Sequence, residues 1–131
     1  MKKITIIAML ALTLAFGSTA SAFAATYQNY SIIAPKYQGD VYSSEKAVSA
    51  YRDFGVYHKY SGTKTIRFVV CNTSKQPIGS LHSVAPGGAS APLTDLWYND
   101  SASTKRIVVR MDAAKYNVVK ILCEGTWVWN Y

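Results

Sequence analysis

The side chains that could act as bases, nucleophiles or metal ligands are few in this sequence and widely separated. His58 and His82 lie in no zinc-binding spacing such as H-E-x-x-H and beside no cysteine pair. The seven aspartates and glutamates form no calcium-loop pattern. The glycine-rich stretch 87–91 is typical of a flexible turn rather than of a G-x-S-x-G nucleophile elbow. The sequence therefore favours a protein that is not an enzyme and that binds no metal or other cofactor.

Tyrosine is the residue type that points most clearly to binding. All ten tyrosines follow residue 24, and seven of them lie between residues 27 and 60, interleaved with lysines and an arginine. A tyrosine ring combines a flat apolar face with a polar tip and loses little entropy when it is ordered, which suits a binding surface. The competing interpretation is that these rings are half-buried strand residues. The predicted binding surface consists of Tyr51, Tyr57, His58, Lys59, Tyr60, Trp129 and Tyr131.

The chain has two cysteines, Cys71 and Cys123. In an exported protein an even pair is most simply a disulfide. A bridge that closes a loop of this length stabilises the folded state by roughly 4 kcal/mol. We therefore predict a Cys71–Cys123 disulfide.

The first 24 residues have the order of a secretory signal peptide. Met1-Lys2-Lys3 is basic, the run ITIIAMLALTLAF is apolar, and the small residues that follow end in Ala22-Phe23-Ala24. The apolar run is too short to cross a bilayer of roughly 30 Å as a helix. We expect cleavage after Ala24, or after Ala22 where a second small-residue triplet ends, and secretion of the mature chain. The leader has a composition typical of bacteria.

The mature chain is moderately basic. Removal of the leader leaves twelve basic residues against seven acidic ones, a net charge of +5. This charge favours anionic partners such as cell-wall polymers, lipid headgroups or acidic surfaces of secreted proteins, although it also serves solubility. The sequence has no nucleic-acid-binding motif, and no later segment is apolar for long enough to cross a membrane.

Alternation of apolar and polar residues predicts β-strands in three stretches. These are residues 65–70 (TIRFVV), 105–111 (KRIVVRM) and 117–123 (NVVKILC). Turn-forming residues separate the strands, and helix-length amphipathic patterns are almost absent. The mature chain, residues 25–131, is therefore predicted to be one all-β domain, a small antiparallel β-sandwich with one disulfide.

Residues 43–54 leave two alternatives open. Ser43 or Ser44 could cap a short helix. We favour instead a strand over residues 48–60, which would pair with residues 65–70 across the Ser61-Gly62 turn, because its aromatic and β-branched residues are strand formers.

The C-terminal stretch CEGTWVWNY also allows two interpretations. Its period of two puts Trp127, Trp129 and Tyr131 on one face of an extended segment. The segment either packs on the core as the last strand or presents its rings to a ligand. We favour the core strand.

Part of the chain resembles the lactococcin-type bacteriocins that leave the cell by the general secretory route. The resemblance rests on Val48-Ser49-Ala50-Tyr51, Tyr57-His58, Gly62-Thr63-Lys64-Thr65, Val69-Val70 and Asn72-Thr73. It implies a small secreted β-sandwich that acts on the cell-wall synthesis of neighbouring bacteria through its lipid-linked precursor. This chain is longer than that pattern, and its cysteine pair and its 105–123 strands have no counterpart there.

Two functions follow as expectations. The first is a small, basic, secreted, non-enzymatic binding or inhibitory module, whose ligand the sequence does not identify. The second is a secreted antimicrobial protein that acts at the cell envelope of other bacteria. A hydrolase ranks well behind both, because no residues group into a catalytic set.

Overall fold

A computed structural model describes residues 25–86 and 93–131 of the chain. The described residues contain no helix and form nine antiparallel strands in two sheets, which confirms the all-β prediction. The predicted signal peptide lies outside the described residues. The strands are β1 Thr26–Ala34, β2 Val41–Tyr42, β3 Lys46–Ala47, β4 Arg52–Tyr60, β5 Ile66–Cys71, β6 His82–Val84, β7 Leu93–Asn99, β8 Arg106–Ala113 and β9 Ile121–Trp129.

The first sheet has the strand order β1-β9-β4-β7. Its C-terminal strand β9 is central, because it pairs along its length with β1 on one side and with β4 on the other. The second sheet has the order β2-β8-β5-β6, and β3 also pairs with β8. Most connections cross from one sheet to the other, which ties the two layers together.

The two sheets enclose one main core, because alternate residues of each strand point inward. Trp127 of β9 lies at its centre and is 1% exposed. Its ring stacks on Tyr30 of β1 at 4.2 Å between centroids and meets the edge of Phe68 of β5 at 5.9 Å. Contacts between strands of different sheets identify the architecture as a β-sandwich, as the strand pattern predicts.

The predicted disulfide is wrong: Cys71 and Cys123 are both free and buried. The physical reason is that the two cysteine side chains lie on different faces of their sheets. Cys123 points into the core between the sheets, whereas Cys71 packs with Val69, Val108 and Tyr42 in a separate cluster. Successive strand residues face opposite sides, so Cys71 shares the outer face of β5 with Arg67. Bridging the two sulfurs would require β5 to slip by one residue, which would expose its core side chains.

The predicted pairing of β4 with β5 is also wrong. β4 pairs with β7 and β9 in the first sheet, whereas β5 pairs with β6 and β8 in the second. The turn at Ser61-Gly62 therefore crosses between sheets instead of closing a hairpin. The helix considered for residues 43–54 is absent, and that stretch forms β3, a turn and the start of β4.

The C-terminal tail is a core strand over most of its length. Trp127 and Trp129 are both buried on the inner face of β9. The predicted strand 117–123 begins later than expected, at Ile121, and Val119 lies in the preceding loop.

Candidate functional site: a basic end with an exposed apolar tip

The strand order brings three lysine-containing loops to one end of the sandwich. β1, β4 and β8 all finish at this end, since Ala34 pairs with Ile121 and Ile66 with Ala113. The loops are residues 35–40, 61–65 and 114–120, and together they hold four lysines and one acidic residue, Asp40. We call these loops and the adjoining strand ends the basic end. Its lysines, all exposed, are Lys36, Lys59, Lys64, Lys115 and Lys120.

Large apolar side chains are exposed at the same end. Val118 and Val119 form the tip of the β8–β9 loop and are 65% and 56% exposed. The ring of Tyr116 lies 5.6 Å from that of Tyr37 in the β1–β2 loop. The other exposed apolar residues at the basic end are Ile33, Tyr60 and Leu122. An exposed apolar patch of this kind with a polar rim is a common mark of an interaction site.

Asn117 holds the tip in place. It is buried, and its side-chain NH₂ donates to the carbonyl oxygens of Pro35 at 2.8 Å and Val119 at 2.7 Å. Its side-chain oxygen accepts from the Gln38 N–H at 2.7 Å, and its backbone carbonyl accepts from the Tyr37 N–H at 2.6 Å. Three of these hydrogen bonds join the β8–β9 loop to the β1–β2 loop, and the bond to Val119 lies within the β8–β9 loop. The two valines are therefore presented on a fixed support.

A buried chain of hydrogen bonds anchors the loop of residues 61–65. The Ser61 hydroxyl donates to the carbonyl of Lys64 at 2.5 Å, and His58 Nε2 lies 2.8 Å from the same hydroxyl oxygen. His58 Nδ1 lies 2.9 Å from the Tyr30 hydroxyl. The Ser61 hydroxyl gives its one proton to Lys64, so His58 Nε2 carries a proton and Nδ1 accepts from Tyr30. Burial lowers the pKa of His58, which favours this neutral ring.

Two clefts lie beside Lys64. One, of about 230 Å³, is lined by Lys64, Lys115 and Tyr116 among others. The second, of about 250 Å³, lies between the β4–β5 loop and residues 119–122. Both clefts are smaller than the roughly 300–1,000 Å³ of pockets that take drug-sized ligands.

The structure separates the predicted binding-surface residues into four groups, of which Tyr131 alone forms the last. Tyr57, Lys59 and Tyr60 follow one another on β4 towards the basic end, and the Lys59 ammonium lies 5.9 Å from the Tyr57 ring. Tyr51 is exposed in the turn before β4, at the opposite end. His58 and Trp129 are buried, so neither side chain reaches a surface ligand.

Tyr131 lies on the outer face of the first sheet, so the predicted face shared with Trp127 and Trp129 is wrong for this residue. Asn130 has a φ of 62°, and this turn of the backbone ends the alternation after Trp129. The Tyr131 hydroxyl donates to the carboxylate of Asp95. It also lies over Gly55, where a Cβ would stand 2.7 Å from the tyrosine hydroxyl oxygen. Burial and the neighbouring carboxylate of Asp95 raise the pKa of Tyr131.

The sequence reasoning missed the Lys115–Lys120 part of the basic end. Residues 117–120, the last four of the stretch KYNVVK, belong to the strand that the sequence predicts over residues 117–123. The signal that could have identified a loop is Asn117, because asparagine is rare inside strands and common in turns.

The described residues contain no group of three or more His, Cys, Asp and Glu side chains that could hold a metal ion. They also contain no helix that is long and apolar enough to cross a membrane. In comparisons with known proteins, the chain matches no family model, no curated protein and no solved structure.

Proposed function

We propose that the mature chain is an exported, non-enzymatic module whose basic end docks on an anionic lipid surface of the cell envelope. The observation that supports this most directly is the exposed pair Val118–Val119 between Lys115 and Lys120. Apolar side chains gain free energy when they leave water for the headgroup boundary. Each nearby lysine adds about 1 kcal/mol at an anionic surface. Tyrosines such as Tyr37 and Tyr116 are favoured at the same depth.

A lipid surface fits this end better than an anionic wall polymer does. A polymer would use the lysines but would leave Val118, Val119 and Leu122 in water. The hydrogen bonds of Asn117 hold the tip before any partner arrives, which reduces the entropy lost on binding. The buried and hydrogen-bonded His58 favours a non-enzymatic role, because its ring nitrogens already contact Tyr30 and Ser61.

Cosedimentation with lipid vesicles tests the proposal. The mature protein should bind vesicles that contain phosphatidylglycerol and should not bind vesicles of phosphatidylcholine alone. Val118→Ser combined with Val119→Ser should weaken binding and leave a remainder that added salt abolishes, because only the lysine attraction is screened.

The matched control is Ile78→Ser combined with Leu81→Ser, an exposed apolar pair in the loop at the opposite end of the sandwich. This control should bind as the unchanged protein does. Equal binding by the two double variants would contradict docking through the tip. Binding to lipid-free cell walls but not to vesicles would contradict lipid docking and identify a wall polymer as the ligand.

The antimicrobial role remains the second candidate, and the same variants address it. A lawn of a related strain should be cleared by the unchanged protein and not by the Val118→Ser, Val119→Ser variant if docking is the first step of killing. Vesicle binding without any growth inhibition would contradict the antimicrobial role and support lipid docking only. The likeness to lactococcin-type bacteriocins stays a prediction.

A further inference from the structure

Lys46 is a buried cation without a carboxylate partner among the described residues. It lies on β3 and is 4% exposed. Its ammonium donates to the Gln28 side-chain oxygen at 2.5 Å and to the Ser44 hydroxyl at 2.6 Å. The ring of Trp129 lies 5.7 Å away. All three neighbours are neutral, so the charge is solvated only in part, and burial lowers the pKa of Lys46.

The ammonium borders a groove between the edges of the two sheets. One wall is β1, the edge strand of the first sheet, and the other is the chain from β2 to β3. Ser43 shapes the second wall, because its N–H donates to the Val109 carbonyl and its hydroxyl accepts from the Val109 N–H, both at 2.9 Å. The serine hydroxyl replaces a backbone acceptor there, which separates β2 from β3.

The groove has a volume of about 230 Å³ and a mostly polar lining. Besides Lys46, its polar lining includes Gln28, Asn29, Ser31, Tyr42 and Ser44. It is smaller than the roughly 300–1,000 Å³ of pockets that take drug-sized ligands. It shares none of the lysines or loops of the basic end.

We propose that this groove binds a small carboxylate that carries hydroxyl groups, with the Lys46 ammonium as its charge partner. An ammonium has three protons, and Gln28 and Ser44 take two of them within the described chain. The third is available to a carboxylate oxygen, whose arrival supplies the missing negative charge. A single cation matches a single negative charge, and the surrounding amides and hydroxyls match the hydroxyl groups of a sugar acid or hydroxy acid.

Isothermal titration of the mature protein with glucuronate, gluconate and lactate tests this proposal, with glucose and inorganic phosphate as comparisons. At least one carboxylate should bind, and glucose should not. Lys46→Met should weaken that binding about thirtyfold or more, because loss of one partner of a buried charge pair costs at least that much. Lys36→Met, which removes an exposed lysine of the basic end, should leave it unchanged.

Amide chemical shifts provide a readout that does not depend on the folding of the Lys46 variant. Glucuronate should move the amide signals of residues 28–32 and 42–46 and leave those of residues 114–120 in place. Shifts confined to the basic end, stronger binding of phosphate than of any carboxylate, or unchanged affinity in a folded Lys46→Met protein would each overturn the proposal. Lipid docking is measured separately, so either result can fail without the other.

Discussion

His58 places a side chain that changes charge near neutral pH inside the sandwich core. Burial lowers its pKa below the ordinary value of 6.5. Below about pH 6.5 the histidine of the unfolded chain takes up a proton, whereas the folded protein does so only at lower pH. The unfolded state therefore binds more protons in that interval, and the free energy of unfolding decreases as the pH falls from about 6.5 towards the folded pKa.

Melting curves between pH 8 and pH 4 measure this contribution. The melting temperature should fall with pH in the unchanged protein, and the fall should be smaller in His58→Gln, which keeps a side-chain donor but cannot titrate. His82→Gln, at a half-buried position on β6, is the control for loss of a histidine elsewhere in the fold. A His58→Gln protein with the same pH dependence as the unchanged protein would show that other groups control acid stability.

The two cysteines give a second prediction at the residue scale. Burial raises the pKa of Cys123 to about 11 and also raises that of Cys71, so both thiols are protonated and inert near neutral pH. Protein purified without reductant should resist iodoacetamide when folded and gain two modifications in guanidinium, as counted by mass spectrometry. If the two sulfurs stay unreactive in guanidinium and react only after reduction, the Cys71–Cys123 disulfide is present and the prediction of free thiols is wrong.

At the level of elements, β9 is the strand on which the first sheet depends. Deleting residues 125–131 removes pairing partners of both β1 and β4, so we expect the truncated protein to be unfolded. Trp127→Ala leaves the backbone intact and should lower the free energy of unfolding by about 3–5 kcal/mol, as measured by urea titration. Leu122→Ala on the exposed face of the same strand should change it little. A folded truncation variant would contradict the central role of β9.

The sequence predicts features that depend on neighbouring residues better than features that depend on residues far apart in the chain. The alternation in residues 65–70 and 105–111 predicts β5 and β8 to within two residues, because each strand's exposure pattern is local. It does not say which sheet a strand joins, and the pairing of β4 with β9 instead of β5 depends on contacts far apart in sequence. The outward position of Cys71 follows from the same local alternation, because Cys71 lies four residues after Arg67 and therefore on the same outer face of β5.

For the whole molecule, the fold converts scattered lysines into one charged end. Lys36, Lys64 and Lys115 lie far apart in the sequence, and only the crossing connections between the sheets bring their loops together. The alternation of β-strands predicts a sandwich but not its strand order, so neither the basic end nor the Lys46 groove could be predicted from the sequence. The sequence predicts only the net charge, and the net charge does not distinguish a charged end from an evenly charged surface.

Two charge reversals of equal size separate these possibilities. Lys115→Glu with Lys120→Glu changes the basic end, whereas Lys75→Glu with Lys105→Glu changes exposed residues at the opposite end by the same net charge. Each lysine near an anionic surface contributes about 1 kcal/mol, so the first pair should weaken binding to phosphatidylglycerol vesicles at least about tenfold more than the second. Equal weakening in cosedimentation at the same salt concentration would mean that net charge, and not a docked orientation, controls binding.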